Sequence, residues 1–95
     1  MSYYVYMILC ENNSFYTGYT GNLNSRMTLH VNGKGARYTR MYKPKKLVYV
    51  ETFGSRQEAI RREKAVKRLN HRRKLELADS YDKQKKKKTR STKGH

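Results

Sequence analysis

YYVYMILC at residues 3–10 and FYTGYT at residues 15–20 are separated only by the polar cluster ENNS. In the first segment Tyr4, Tyr6 and Ile8 alternate with Val5, Met7 and Leu9, so both faces are apolar. A strand of that kind belongs at the centre of a sheet covered on both sides. ENNS reads as a turn and FYTGYT as the partner strand, so the two segments form a hairpin. LVYVETF, residues 47–53, is rich in β-branched and aromatic side chains and supplies a third strand.

Helices fill the intervals. Asn22 suits an N-cap, and Leu23, Met27, His30 and Val31 fall at i, i+4, i+7 and i+8 on one helix face. The segment from Gly33 to Lys45 carries two glycines, the single proline and several basic and aromatic side chains, and reads as a loop. Ser55 and Glu58 in SRQE form a capping box, followed by an apolar stripe of Ala59, Ile60, Val66 and Leu69. A short helix from Arg72 to Ala78 carries Leu75 and Ala78. The expected class is α+β, a small three-stranded antiparallel sheet flanked by helices in the order β-β-α-β-α-α. Residues 1–81 form the domain; residues 82–95 contain no apolar side chain and read as a disordered Lys-rich tail. A unit this small has no room for an enclosed substrate cavity, so any site is a surface groove.

The chain has 23 Lys+Arg against 7 Asp+Glu, a net charge of +16. The tail contributes seven basic residues and one acid, so the body is strongly basic on its own. Self-repulsion of that size points to a polyanionic partner, and nucleic acid is the commonest. No segment joins a long apolar face to a cationic one, which argues against a membrane surface. One cysteine, Cys10, excludes a disulfide framework and a zinc cluster. There is no positive n-region before the first apolar run and no long apolar span, so a cytoplasmic protein is expected.

Three groups of residues could carry chemistry. Glu63 falls inside the apolar stripe, where a carboxylate needs a cation, a metal or a donor to meet it. A salt bridge to a nearby arginine satisfies that need, and so does a divalent metal at the rim of the sheet. Arg26 and His30 rise from one helix edge at i and i+4. A guanidinium fork matches two phosphate oxygens, whereas a solvated arginine and a satisfied histidine are the plainer readings. The nine tyrosines are mostly packing residues, and a hydroxyl becomes a useful base only where cations lower its pKa.

YVY, then YTG ten residues on, an Arg eight residues after that, and a Glu in a capped helix: this order resembles the GIY-YIG nuclease superfamily. YYVYMILC, NSFYTGYTGNLNSRMTLHVNGKGARYTR and AIRREKAVKRL are similar to its small stand-alone bacterial branch of predicted endonucleases. The resemblance runs from residue 3 to about residue 78. It implies a metal-dependent phosphodiester hydrolase acting on nucleic acid, DNA ahead of RNA, with little sequence specificity. Tyr6 would position or help deprotonate the attacking water, and Tyr16 would be the general base. Arg26 would hold the scissile phosphate, and His30 would reach the same phosphate. Glu63 would bind a single Mg²⁺ or Mn²⁺, and Gly18 would let the backbone turn beside the site. Three positions depart from the family pattern. Tyr4 stands in place of the GIY glycine, although the tyrosine that matters is Tyr6. Tyr19 stands where repair-type relatives often carry Lys, and the expected asparagine falls near Leu75, with Asn70 closer to the glutamate than that spacing.

The resemblance also sets a geometric condition. Tyr6 and Tyr16 share a face only if the hairpin connection is odd, with residue 8 opposite residue 16 or 18. We predict the odd connection. For binding, Lys34, Arg37, Arg40, Lys43, Lys45 and Lys46 are expected beside the groove, with Tyr38 and Tyr42 offering rings to unpaired bases and Tyr19 at its wall. Such contacts give salt-dependent affinity without sequence readout. A non-catalytic nucleic-acid-binding module on the same fold is the rival reading, and the oligomeric state is left open.

Overall fold

The computed structural model describes the backbone of residues 2–93 and the side chains of residues 2–84. Strand β1, Tyr3–Cys10, pairs antiparallel with β2, Phe15–Thr20, in the register Ile8 with Tyr16 and Tyr6 with Gly18. The connection is therefore odd, as predicted. Cys10 N–H donates to Ser14 O and Asn13 N–H donates to Cys10 O, which leaves a three-residue loop of Glu11, Asn12 and Asn13. Asn13 makes that loop possible. Its φ of 67° is left-handed, a conformation that asparagine accepts more readily than most residues.

Helix α1, Leu23–Val31, starts at the Asn22 cap, whose side chain accepts from Ser25 N–H. Leu23 and Met27 pack on the sheet and His30 is buried, whereas Val31, assigned above to the same face, is 75% exposed. At 100° per residue, position i+8 has already rotated about 80° away from the face that i and i+7 share.

The segment taken as a loop contains a short helix, α2, Arg37–Met41. Strand β3, Pro44–Phe53, begins three residues earlier than expected and completes an antiparallel sheet in the order β2-β1-β3. Pro44 is tolerated because it opens the strand. β1 is thus the central strand, with α2 as an addition to the expected order.

α3, Arg56–Lys67, starts at Ser55, whose Oγ accepts from Glu58 N–H. α4, His71–Lys93, is much longer than the expected Arg72–Ala78 helix. Asn70 Oδ1 accepts from Arg73 N–H in its first turn, so that asparagine serves as a helix cap. The division into a domain of residues 1–81 and a tail of residues 82–95 stays an expectation, and the tail's side chains from residue 85 lie outside the described residues.

The two faces of β1 bury separate cores. Val5 and Met7 pack with Tyr49, Ala59, Val66 and Ala78 under α3 and α4. Tyr6, Ile8 and Cys10 pack with Tyr16, Leu23, Met27 and Tyr38 under α1 and α2. On the first side, Tyr49 O–H donates to Glu51, which also accepts from Arg62 Nε at 2.9 Å, tying β3 to α3. Burial and that carboxylate push the Tyr49 hydroxyl up to about 12. No helix among the described residues is long and apolar enough to cross a membrane.

Candidate active site

A groove of about 580 Å³ lies over the edge strand β2, between α1 and the start of α3. Tyr6, Tyr16, Gly18, Tyr19, Arg26 and Glu63 line it, so the structure brings together predicted residues from four separate elements, β1, β2, α1 and α3. Tyr6 and Tyr16 do share a face, with ring centroids 6.3 Å apart. The groove exists because residue 18 has no side chain. A Cβ there would sit 2.5 Å from the Tyr6 hydroxyl oxygen and 3.2 Å from Tyr16 Cε2. Gly18 thus serves a close approach rather than the turn expected of it.

His30 is not in the groove. It is 1% exposed behind Tyr6, and both of its ring nitrogens are engaged. Thr39 Oγ1 spends its only proton on Ala36 O at 3.0 Å. It must therefore accept from His30 Nδ1–H, 2.7 Å away. That fixes the tautomer: Nε2 carries the lone pair and accepts the Tyr6 O–H at 3.0 Å. The expectation that His30 reaches a phosphate in this groove is corrected, because the buried imidazole does not line the groove and is bonded behind the Tyr6 hydroxyl, which does. Burial and the Arg26 charge hold His30 below its ordinary pKa. Gly35 closes the chamber, since a Cβ there would lie 2.3 Å from His30 Nδ1.

Burial drives the Tyr6 hydroxyl well above the ordinary tyrosine value, Tyr16 adds to the rise, and Arg26 opposes it. The cationic lowering considered for the tyrosines does not win at Tyr6. Its proton is committed to His30, which leaves the Tyr6 oxygen facing the groove as a hydrogen-bond acceptor.

Glu63 keeps 14% of its side chain exposed, and Lys67, one turn on, approaches Oε2 at 3.2 Å. The carboxylate is thus met by a lysine of its own helix rather than by an arginine. No group of three His, Cys, Asp or Glu side chains converges among the described residues. One carboxylate at the groove wall is nonetheless the donor set that suits Mg²⁺ or Mn²⁺, whose remaining positions go to water and phosphate oxygens.

The predicted binding residues divide. Lys34, Arg37, Arg40, Lys43 and Lys45 are exposed along α2 and the start of β3, outside the groove. Tyr38 and Tyr42 continue a row of rings from Tyr16, with centroid separations of 6.1 and 5.1 Å. Lys46 borders a different, more apolar hollow of about 470 Å³ between the sheet and α4. Sequence reading missed Thr39, Gly35 and Arg56. The first two act only through a chamber that closes in three dimensions, and Arg56 resembles any other helix charge until its position is known.

Residues 2–76 match the model of the GIY-YIG catalytic domain. The chain belongs to the GIY-YIG family. Among its relatives are UPF0213 proteins of Staphylococcus haemolyticus, 46% identical over 77 residues (81% of this chain, 94% of the relative), and of Clostridium perfringens, 48% identical over 77 residues (81% and 83%). The solution NMR structure of a UPF0213 protein from Bacillus halodurans is 44% identical, covers 83% of this chain and 84% of that one, and superposes with a TM-score of 0.54. A second NMR structure, of a protein from E. faecalis, is 36% identical with a TM-score of 0.59 over 86% of this chain and 88% of that one. The Lys-rich tail lies beyond the residues that match the GIY-YIG domain.

Proposed function

We propose that this GIY-YIG domain is a metal-dependent endonuclease that hydrolyses phosphodiester bonds, in DNA ahead of RNA, with little sequence specificity. One observation carries the reading. A carboxylate, Glu63, lines the same groove as a guanidinium and two tyrosine hydroxyls in a chain of net charge +16. Binding a polyanion has no use for a negative charge at the contact. A phosphodiesterase has one, because Mg²⁺ or Mn²⁺ held by Glu63 would polarise the phosphate and stabilise the leaving oxygen.

The chain's own groups then have separate tasks. Arg26 is exposed at the groove wall, where it binds the scissile phosphate and offsets charge growing on its oxygens. Tyr6, its O–H donating to His30 Nε2, accepts a hydrogen bond from the attacking water and orients it. Tyr16, its own proton first given up to solvent, takes the proton released as the water oxygen bonds to phosphorus, while the bond to the leaving oxygen breaks. His30, Thr39 and Gly35 hold Tyr6 in its acceptor state. The row Tyr16, Tyr38, Tyr42 and the cations beside it suit an unpaired strand running away from the groove.

A panel of plasmid, single-stranded, flapped and branched DNA, together with RNA, tests the reading in Mg²⁺, Mn²⁺ and EDTA. Metal-dependent cleavage of DNA, lost in Arg26→Ala, is the expected result. Binding to these substrates with no cleavage of any of them would replace the enzyme with a binding module.

A further inference from the structure

Arg56 is the first residue of α3 and lines the groove together with Arg26 and Glu63. Its Nη2 and Nε donate to the Tyr19 hydroxyl at 3.2 and 3.4 Å. No acidic side chain among the described residues pairs with it, whereas Arg62 is taken by Glu51 and Lys67 by Glu63. A guanidinium held in place by a neutral hydroxyl keeps its whole charge available to an anion.

The helix fixes the spacing. Arg56 and Glu63 are seven residues apart, two turns of α3, so both point to the same side with about 10 Å of axial rise between them. A single phosphate does not span that gap. Arg26, by contrast, acts electrostatically on Tyr6 and His30 and so belongs at the reacting end.

We propose that Arg56, held by Tyr19, grips the phosphodiester next to the one that is cleaved and so sets the register of the strand over Glu63. Arg56 is a positioning residue in this role, and the proposal rests on the nuclease reading above. It also explains Tyr19: the aromatic hydroxyl at this position steers a cation borrowed from α3 instead of supplying one itself.

The test compares binding of a fluorescent DNA duplex and of its single strand in EDTA across a salt series. Wild type, Arg56→Ala, Tyr19→Phe and Arg72→Ala are measured in parallel. Arg72 is a control for lost charge, since it sits 87% exposed on α4 away from the groove. Loss of one phosphate contact lowers the slope of log affinity against log salt on the duplex by about 0.9. Arg56→Ala is expected to show that change and Arg72→Ala is not. Tyr19→Phe keeps the charge and is expected to weaken binding less than Arg56→Ala. In cleavage, Arg56→Ala is expected to raise KM with little change in kcat, unlike Arg26→Ala. Equal slopes for Arg56→Ala and Arg72→Ala would overturn the role of Arg56 and leave the nuclease standing. Binding without turnover, with the slope difference present, would count against the nuclease reading alone.

Discussion

Gly18 shows how one missing side chain shapes the site. Gly18→Ala places a carbon 2.5 Å from the Tyr6 hydroxyl oxygen, so Tyr6 or the strand must shift. We expect a loss of about 1–3 kcal/mol in urea unfolding, with cleavage falling further than stability alone explains. Thr17 is the opposite case. Its Oγ1 is buried with no hydrogen-bond partner, and the residue is 3% exposed. Thr17→Val should stabilise the fold by about 1 kcal/mol, because an isosteric methyl replaces an unsatisfied hydroxyl. His30 makes stability depend on pH. Its folded pKa lies below the unfolded value of 6.5, so above that pH both states are neutral and nothing is lost. Below it the unfolded chain takes a proton that the folded chain refuses, and stability falls by up to about 1.4 kcal/mol per pH unit. His30→Gln should flatten that part of the curve in thermal melts between pH 7 and 5. At this scale Arg26 and Glu63 stand out by their helical spacing, whereas Tyr6 and Tyr16 are singled out only by the resemblance to the GIY-YIG superfamily; all four line one groove. The burial of His30 was not legible, since it depends on Thr39 and Gly35 arriving from the next segment.

The strands and helices were legible wherever apolar periodicity was strong. The central strand and the Asn22 and Ser55 helix caps follow from local rules, and the structure contains them. The hairpin parity does not: it was set by the resemblance, and the structure has the odd connection. α2 and the first residues of β3 were missed. The segment GKGARYTRMYKPKK has no apolar period, and its glycines, proline and lysines all resemble loop chemistry. Its helix is five residues long and gets its order from Tyr38 and Thr39, which bond to Ser14 and His30. Asn13 controls the hairpin. Asn13→Gly should be neutral or slightly stabilising, whereas Asn13→Val should cost about 1–2 kcal/mol by forcing a branched side chain into left-handed backbone. Amide exchange of the β1–β2 pairs reads both outcomes directly.

The whole molecule is a thin sheet with a predominantly basic surface, and among the described residues a single carboxylate, Glu63, lines its groove. Its charge is read at once from composition, but the direction in which that charge faces is not. Most predicted binding lysines lie along α2 and β3, while the groove takes its cations from Arg26 and Arg56. That division explains why a carboxylate can sit at the site without the chain losing its attraction for a polyanion. The most direct measurement is single-turnover cleavage of a DNA substrate in Mn²⁺ by wild type and Glu63→Gln, with binding measured in EDTA. The account predicts that Glu63→Gln binds at least as tightly as wild type and cleaves about 10²–10³ times more slowly. Cleavage by Glu63→Gln at the wild-type rate would contradict it.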